Sequence, residues 1–434
     1  MVGYLVSLAI FTATYALFSL GLNLQWGYTG LINFGHIAFM TVGAYTTVLL
    51  SLNGVPLVLA VLAGAILAGI LGLLIGISTL RLREDYLAIV TIGVSEVVRL
   101  IALNEEELTQ GTRGVYGFPL PLASLNPNLP LRLGMIVILT MICGVGVWQI
   151  WRWLGHVPQG ADRSVPLRRA ALGRQRLALG GYLLCLGGSV TALWWGFAMN
   201  TGFLGLAGAS AIAALGCVYS RFSHPLKTAS HQSWLTHSTI IAVNLVLGLV
   251  LMVYWAGVMG LYDYTYKAGL MWLLVVILGF TFWQLQRWVH SPWGRVLKSI
   301  REDEEVAKAL GKNVFRYKLQ SLMLGGAIAG IAGAFYAWQL TFINPDGFIP
   351  LITFQAWIIV VLGGAGNNVG TLLGAMIFWV YDAATRFLLP SLVTLDDARL
   401  GAFRIMVIGL LLIVLMMWRP QGILGNKDEL TLGR

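Results

Sequence analysis

Apolar runs of roughly 20 residues recur along this chain, parted by short polar or charged stretches, and that length matches a helix crossing the hydrocarbon core of a bilayer. The pattern predicts spans near 4–22, 36–53, 56–79, 86–103, 133–153, 177–197, 203–220, 239–260, 268–287, 318–340, 352–366, 370–388 and 400–418. The charges between them sort into two sets. Arg81–Arg83, six arginines within 152–176, Arg221–Lys227 and a dense cassette with Arg316 and Lys318 fall on one side. Glu105, Glu106 and Glu107 with the proline-rich 119–130 segment, then Asp263, then Asp396–Asp397, fall on the other. The basic set belongs in the cytoplasm, which places the N-terminus outside and the C-terminus inside. Thirteen crossings, an odd number, agree with opposite ends.

Two places break the apolar pattern with glycine and asparagine. One runs from Gly21 to His36 and includes Gly30, Asn33 and Gly35; the other runs from Gly363 to Gly370 and includes Gly364, Gly366 and Asn367. Each resumes with small residues, Gly43–Ala44 and Gly374–Ala375. Irregular backbone at membrane depth is tolerated where it is buried or lines a wet cavity, so the pair is expected to lie on a substrate path. The other reading is close helix packing and turns. His36 carries the same two readings, substrate contact or packing.

The cassette from Ser291 to Gly311 has a different periodicity. As one helix over 293–311 it would put Val296, Leu297, Ile300, Ala307, Leu310 and Gly311 on one side, with Arg295, Lys298, Arg301, Glu302, Glu305 and Lys308 on the other. Such a helix does not belong in hydrocarbon. It lies at a membrane surface or in a partner's groove.

Composition agrees with the pattern: 58% of the residues are hydrophobic and 11% charged, with a mean hydropathy of +0.79. A soluble domain of this length needs far more polar surface, so the expected fold is an all-α polytopic membrane protein with glycine-broken helices. The formal charge of +10 follows from cytoplasmic loops rather than from a nucleic-acid surface. Cys143, Cys185 and Cys217 sit in apolar runs without paired spacing, and His224, His231 and His237 match no metal-ligand pattern, so no metal site is expected. The first apolar run lacks a basic leader and a cleavage site, and reads as a retained span. Glu96 and Arg99 share a face inside a span, where they either gate a pore or form a structural ion pair. Asp382 and Arg386 read as an interfacial pair. Neither a phosphate loop nor a nucleophile–base pair occurs, so any driving energy arrives from an ion gradient or from a partner.

Several stretches together resemble one family. Glu305-Val-Ala-Lys-Ala-Leu-Gly311 is similar to the coupling motif of bacterial importer permeases. Gly294–Arg295, Ile300–Glu304, Tyr317–Lys318, Ala329–Gly333, Gly30–His36 with Gly43–Tyr45, Leu80–Arg83 with Tyr86, Thr109–Pro119 and Leu362–Gly366 resemble the permease of branched-chain amino-acid ABC importers of the LivM type. The resemblance brackets 20–120 and 260–390. It divides the chain into core parts 1–132 and 263–418, an insertion over 133–262, and a cytoplasmic tail over 419–434. The insertion makes it similar to the long permeases of cyanobacterial neutral amino-acid importers.

That resemblance implies a subunit of the bacterial inner membrane working with a second, LivH-like permease, two ABC ATPases and an extracytoplasmic solute-binding protein. The chain itself would hold no cofactor and no catalytic site, since ATP would be bound by the partners. Arg301, Glu302, Asp303, Glu304, Glu305, Ala307 and Gly311 would dock the ATPase. Val306 replaces the motif's middle alanine, and Asn367–Asn368 stand where the family has smaller or hydroxylated residues. A urea or amide importer of the same family, an ion-coupled secondary transporter, a channel and a membrane enzyme are the competing readings.

Overall fold

The computed structural model describes residues 2–80, 84–123, 125, 127–154, 253–392, 397–418 and 422–424. The expected spans at 177–197 and 203–220, most of that at 239–260, the arginine-rich loop, the three histidines of the 224–237 loop, Cys185 and Cys217 lie outside the described residues. The protein is a helical polytopic membrane protein. Its helices are α1 (Val2–Leu22), which runs on into a π turn (Asn23–Gly27), α2 (Ile37–Leu52), α3 (Leu57–Thr79), α4 (Glu84–Asn104), α5 (Glu106–Thr109) and α6 (Leu129–Leu154). After a helical stretch α7 over 253–262 come α8 (Tyr266–His290), α9 (Pro292–Glu302), α10 (Glu304–Ala309), α11 (Val314–Leu340), α12 (Leu351–Gly363), α13 (Asn368–Leu392) and α14 (Asp397–Trp418). Among the described residues six helical segments are long and apolar enough to cross a membrane: Val2–Gly27, Leu57–Thr79, Tyr86–Asn104, Tyr266–His290, Val314–Leu340 and Pro345–Gly363.

The chain forms two compact units, one of Met1–Val6 with Asn128–Asp263 and one of Ser7–Pro127 with Tyr264–Arg434. In the first, Leu5 packs on Ala256, Arg132 Nη1 donates to the Tyr262 carbonyl at 2.8 Å, and Thr140 shares a hydrogen bond with Tyr254 at 2.7 Å.

The second unit is built around α11, which packs against α2 and α3. Small residues make this contact, because lipid offers no hydrophobic force between helices and close van der Waals approach must replace it. A methyl group on Gly43 would lie 2.2 Å from the Gly330 carbonyl oxygen, and one on Gly333 would lie 2.1 Å from that of Met40. Phe39 and Gly43 meet Gly326 and Gly330 in the same order, so α2 runs parallel to α11. Gly64, Ala68 and Gly72 meet Gly330, Gly326 and Leu322 in reverse order, so α3 runs antiparallel to it. α12 and α13 form a hairpin in which Gly363 touches Gly370 and Ile359 touches Gly374. A two-stranded ribbon closes the end reached by the last turn of α11. It pairs β1 (Val115–Tyr116) with β2 (Phe342–Ile343), antiparallel, Val115 opposite Ile343.

These directions place both glycine interruptions at the end of the bundle where the cassette lies. The segment Val2–Gly27 is 26 residues long, about 39 Å as a helix, and reaches across a bilayer before its backbone turns irregular. The second interruption joins α12 to α13 beside the chain's tail, where Ile423 and Leu424 donate to the carbonyls of Leu362 and Gly363, each at 3.0 Å.

Candidate functional site

The cassette folds as two helices rather than the single helix expected over 293–311. Pro292 opens α9 at a position where a missing N–H costs nothing. Asp303 ends it by taking extended backbone, φ −155° and ψ 109°. The Asp303 carboxylate then accepts from the amides of Glu305 at 2.9 Å and Val306 at 3.0 Å, which caps α10. Gly311 closes α10 with φ +74°. Its N–H donates to the Lys308 carbonyl at 2.9 Å, and that of Lys312 to Ala307 at 3.1 Å. Asn313 caps α11 by accepting from Arg316 N–H at 3.2 Å.

The break at Asp303 redistributes the apolar stripe. Leu297, Ile300 and Ala307 are buried; Ile300 and Ala307 pack with Val314, Val296 and Tyr317 of the same chain. Leu310 and Val306 instead face outward, 71% and 55% exposed. The stripe expected to fit a partner's groove is therefore split between the chain's own core and its surface. Glu302, Asp303, Glu305 and Gly311 are exposed, whereas Ala307 is buried.

Glu304 ties this unit to the membrane helix behind it. The Lys318 ammonium, 8% exposed, lies 2.5 Å from its carboxylate, and Lys308 approaches within 3.1 Å. Burial pushes the Glu304 carboxyl up, but hydrogen bonds and charge from Lys318 and Lys308 outweigh that and hold it below its ordinary range. Lys308 also pairs with Glu305 at 3.0 Å.

Arg301 departs most from expectation. Its guanidinium points away from the exposed face of the cassette and donates through Nη1 to the carbonyl of Gly27, the last residue of the π turn. The two glycine interruptions meet at this point. Asn23 Nδ2 donates to Asn368 Oδ1 at 3.0 Å, and Asn23 Oδ1 accepts from Gly366 N–H at 2.9 Å. Gly366 has φ +78°, and a methyl group there would lie 2.7 Å from Arg301 Nη1 and 2.8 Å from the Gly27 oxygen. Asn23, Gln25 and Asn368 lie inside the two interruptions that the sequence marks, but nothing in the pattern singles them out within those segments as the residues of this joint.

The other residues expected on the path have framework contacts. Asn33 Nδ2 donates to Gln25 Oε1 at 2.9 Å, its Oδ1 accepts from Gly35 N–H at 2.9 Å, and its carbonyl accepts from Trp357 Nε1 at 3.0 Å. Gln25 in turn reaches the Leu322 carbonyl at 3.1 Å. Asn367 Oδ1 accepts from Val369 and Gly370 amides at 3.0 and 3.2 Å, and its Nδ2 donates to the Leu424 carbonyl at 2.9 Å. His36 is wholly buried, with Nε2 3.2 Å from the Phe18 carbonyl oxygen and its ring against Phe18 and Phe39. Gly30 packs on Arg301, Gly35 on Thr91, and Gly363 on Gly370, while Gly364 lies against Gly422.

Glu96 and Arg99 are not brought to the joint. Arg99 Nε lies 2.9 Å from Glu96 Oε2, and its Nη1 lies 3.4 Å from Asp346 Oδ1. Asp346 follows α11, so this trio sits at the end of the bundle away from the cassette and ties α4 to the loop over 345–347. Asp382 and Arg386 pair at 2.9 Å.

Comparison with known proteins covers nearly the whole chain. A family described as branched-chain amino acid transport system / permease component matches residues 4–153 and 172–416. The chain is similar to the high-affinity branched-chain amino acid transport system permease protein LivM of Escherichia coli K12, 24% identical over 421 residues, 96% of this chain and 69% of the relative. A probable LivM of Methanocaldococcus jannaschii is 27% identical over 168 residues, 37% of this chain and 47% of the relative. The LivH permease of Salmonella typhimurium is 29% identical over 140 residues, 32% and 42% of the two chains. No solved structure matches this chain.

Proposed function

This chain belongs to the branched-chain amino acid transport system permease family, and from that premise we propose that it is one membrane half of an ATP-driven importer for branched-chain or other neutral amino acids. A second, LivH-like permease completes the pathway in the bacterial inner membrane. An external binding protein delivers the amino acid, and two ATPase subunits, which hold the nucleotide, supply the energy. The N-terminus lies outside and the C-terminus in the cytoplasm. That orientation is supported by the helix directions, which put the charged cassette and the tail at one end of the bundle and the Glu105–Glu107 loop at the other.

The observation that carries this reading is the two-sided character of the cassette. Its inner side is fastened to the chain's own α11 by Ile300, Ala307 and the Glu304–Lys318 pair. Its outer side leaves Val306 and Leu310 exposed in the same short stretch as the exposed Glu302 and Glu305. An apolar ridge with an acidic edge, outside every membrane-crossing helix, suits a groove on a soluble subunit. Fastening on the inner side lets force applied from outside reach the spans. Two states a few kcal/mol apart are enough for nucleotide-dependent contacts to switch between them.

The test is capture of the ATPase by the full chain. Leu310→Asp places a charge on the exposed ridge without touching the buried core, and should reduce co-purification of ATPase by about tenfold or more. Equal capture by the variant, or uptake by the purified chain alone under an ion gradient, refutes the reading. Uptake assays across leucine, alanine and urea then assign the substrate class.

A further inference from the structure

We propose that Arg301 is a positioning residue that passes movement of the cassette to the joint between the two glycine segments; this rests on the reading of the cassette as the ATPase's handle. Arg301 stands in the last turn of α9, one residue from exposed Glu302 and two from the break at Asp303. Anything that grips the outer face of α10 and tilts α9 moves its backbone.

At the other end of the side chain, the guanidinium holds the Gly27 carbonyl. Carbonyls at a helix C-terminus lack intrahelical donors and lie at the negative end of the helix dipole, so a cation there is well matched. The same guanidinium packs against Gly366, and the stem of the side chain lies against Gly30. A methyl group on Gly366 would come within 2.7 Å of Arg301 Nη1 and 2.8 Å of the Gly27 oxygen, so a larger residue has no room there, while Gly30 meets the Arg301 Cγ at an ordinary contact distance of 3.4 Å and holds φ +80°. Lys298, one turn earlier on the same helix, sits 5.8 Å from the centroid of the Tyr28 ring. The cassette thus touches the first interruption through two cations and the second through one.

The joint has its own fastening, Asn23 to Asn368 and to the Gly366 amide. Gln25 and Thr29 fasten the first segment to α11, through the Leu322 carbonyl and the Ser321 hydroxyl. The cassette is anchored to the same helix through Glu304 and Lys318. Arg301 is where the cassette reaches past α11 to the point at which the α12–α13 hairpin meets the end of α1. Withdrawing it removes a charge-assisted hydrogen bond from Gly27 and uncovers Gly366 in one movement. Holding it in place keeps the two segments pressed together at the cassette end of the bundle.

The experiment uses the complex of this chain with its ATPase and partner permease, reconstituted in liposomes and driven by leucine-loaded binding protein. Leucine uptake and ATP hydrolysis are measured in the same vesicles. Arg301→Ala should leave ATPase capture intact while lowering leucine taken up per ATP hydrolysed by about tenfold, the scale of one lost charge-assisted hydrogen bond. Arg301→Lys keeps the cation but reaches one carbonyl without filling the space between the segments. It should fold like the parent and lose a smaller part of that ratio. An unchanged ratio in Arg301→Ala overturns the proposal, and so do uptake and hydrolysis that fall together in both variants, which is the behaviour of a residue needed only for folding or assembly. A parent chain that captures no ATPase would sink the functional reading itself, whereas a normally coupled Arg301→Ala complex sinks only this inference.

Discussion

Removing either partner of the Glu304–Lys318 pair should have unequal consequences, and the inequality follows from exposure. The Lys318 side chain is 8% exposed and Glu304 35%, so the ammonium has given up most of its water and the carboxylate has not. Glu304→Gln keeps the shape but removes the carboxylate that lies 2.5 Å from that buried cation, at a cost of about 2–3 kcal/mol. Lys318→Met leaves a carboxylate that still reaches solvent and still has Lys308 at 3.1 Å, costing about 1 kcal/mol. The double variant replaces an ion pair with neutral groups of similar size and should be more stable than Glu304→Gln alone. Thermal unfolding of the detergent-purified chains, followed by tryptophan fluorescence, measures all four. The pH dependence has a fixed sign. The folded-state value of Glu304 lies below its ordinary 4.5, so the stabilisation is complete above that value and is lost as pH falls through the lowered one. The gap between the parent and Glu304→Gln should therefore close in acid. A double variant no more stable than Glu304→Gln, or a gap that stays constant from neutrality into acid, would refute the reasoning.

Two further outcomes test the packing and the joint. Gly43→Ala puts a methyl group 2.2 Å from a carbonyl oxygen of α11 and should destabilise by about 1–3 kcal/mol; Gly93→Ala, with nothing within 4 Å, should be neutral or stabilise by up to about 1 kcal/mol. Equal melting temperatures for the two would mean that α2 and α11 are not in close contact. Asn23→Ala removes one hydrogen bond to Asn368 and leaves the Gly366 amide without its acceptor, a loss of about 2–3 kcal/mol, while Asn53→Ala at an exposed helix end should lower the melting temperature far less.

Much of the bundle was legible because the bilayer forces long apolar runs on any helix that crosses it. The described helices α1 to α4, α8 and α11 lie where the runs of 18 to 24 residues predict them, with ends displaced by a few positions. The cassette, too, stood out by charge. Its internal break did not, although the signal was present: Asp303 followed by Glu304 and Glu305 is a helix start. A wheel drawn through 293–311 reads straight across that start, and so puts Leu310 in one stripe with Ile300 and Ala307, from which the new helix turns it away.

Long-range pairings were not legible at all. Asn23 and Asn368 are 345 residues apart, and although both lie in the two glycine-rich interruptions, no local pattern says which of their polar residues will pair. The physical rule that does bear on them is that a polar side chain within the bundle must have a partner, which predicts that Asn23 is satisfied without naming by what. The same limit explains Arg301. On a helical wheel it shares the charged face with Glu302 and Glu305, so pattern alone assigns it to solvent. A guanidinium on a long aliphatic stem is bound by reach rather than by face, and the Gly27 carbonyl at the end of the π turn lies within that reach. Side chains on one face of a helix need not share one destination. Glu302 and Glu305 stay exposed on the outer side while Arg301 reaches the Gly27 carbonyl, so the polar face is divided in the way that the proposed transmission requires.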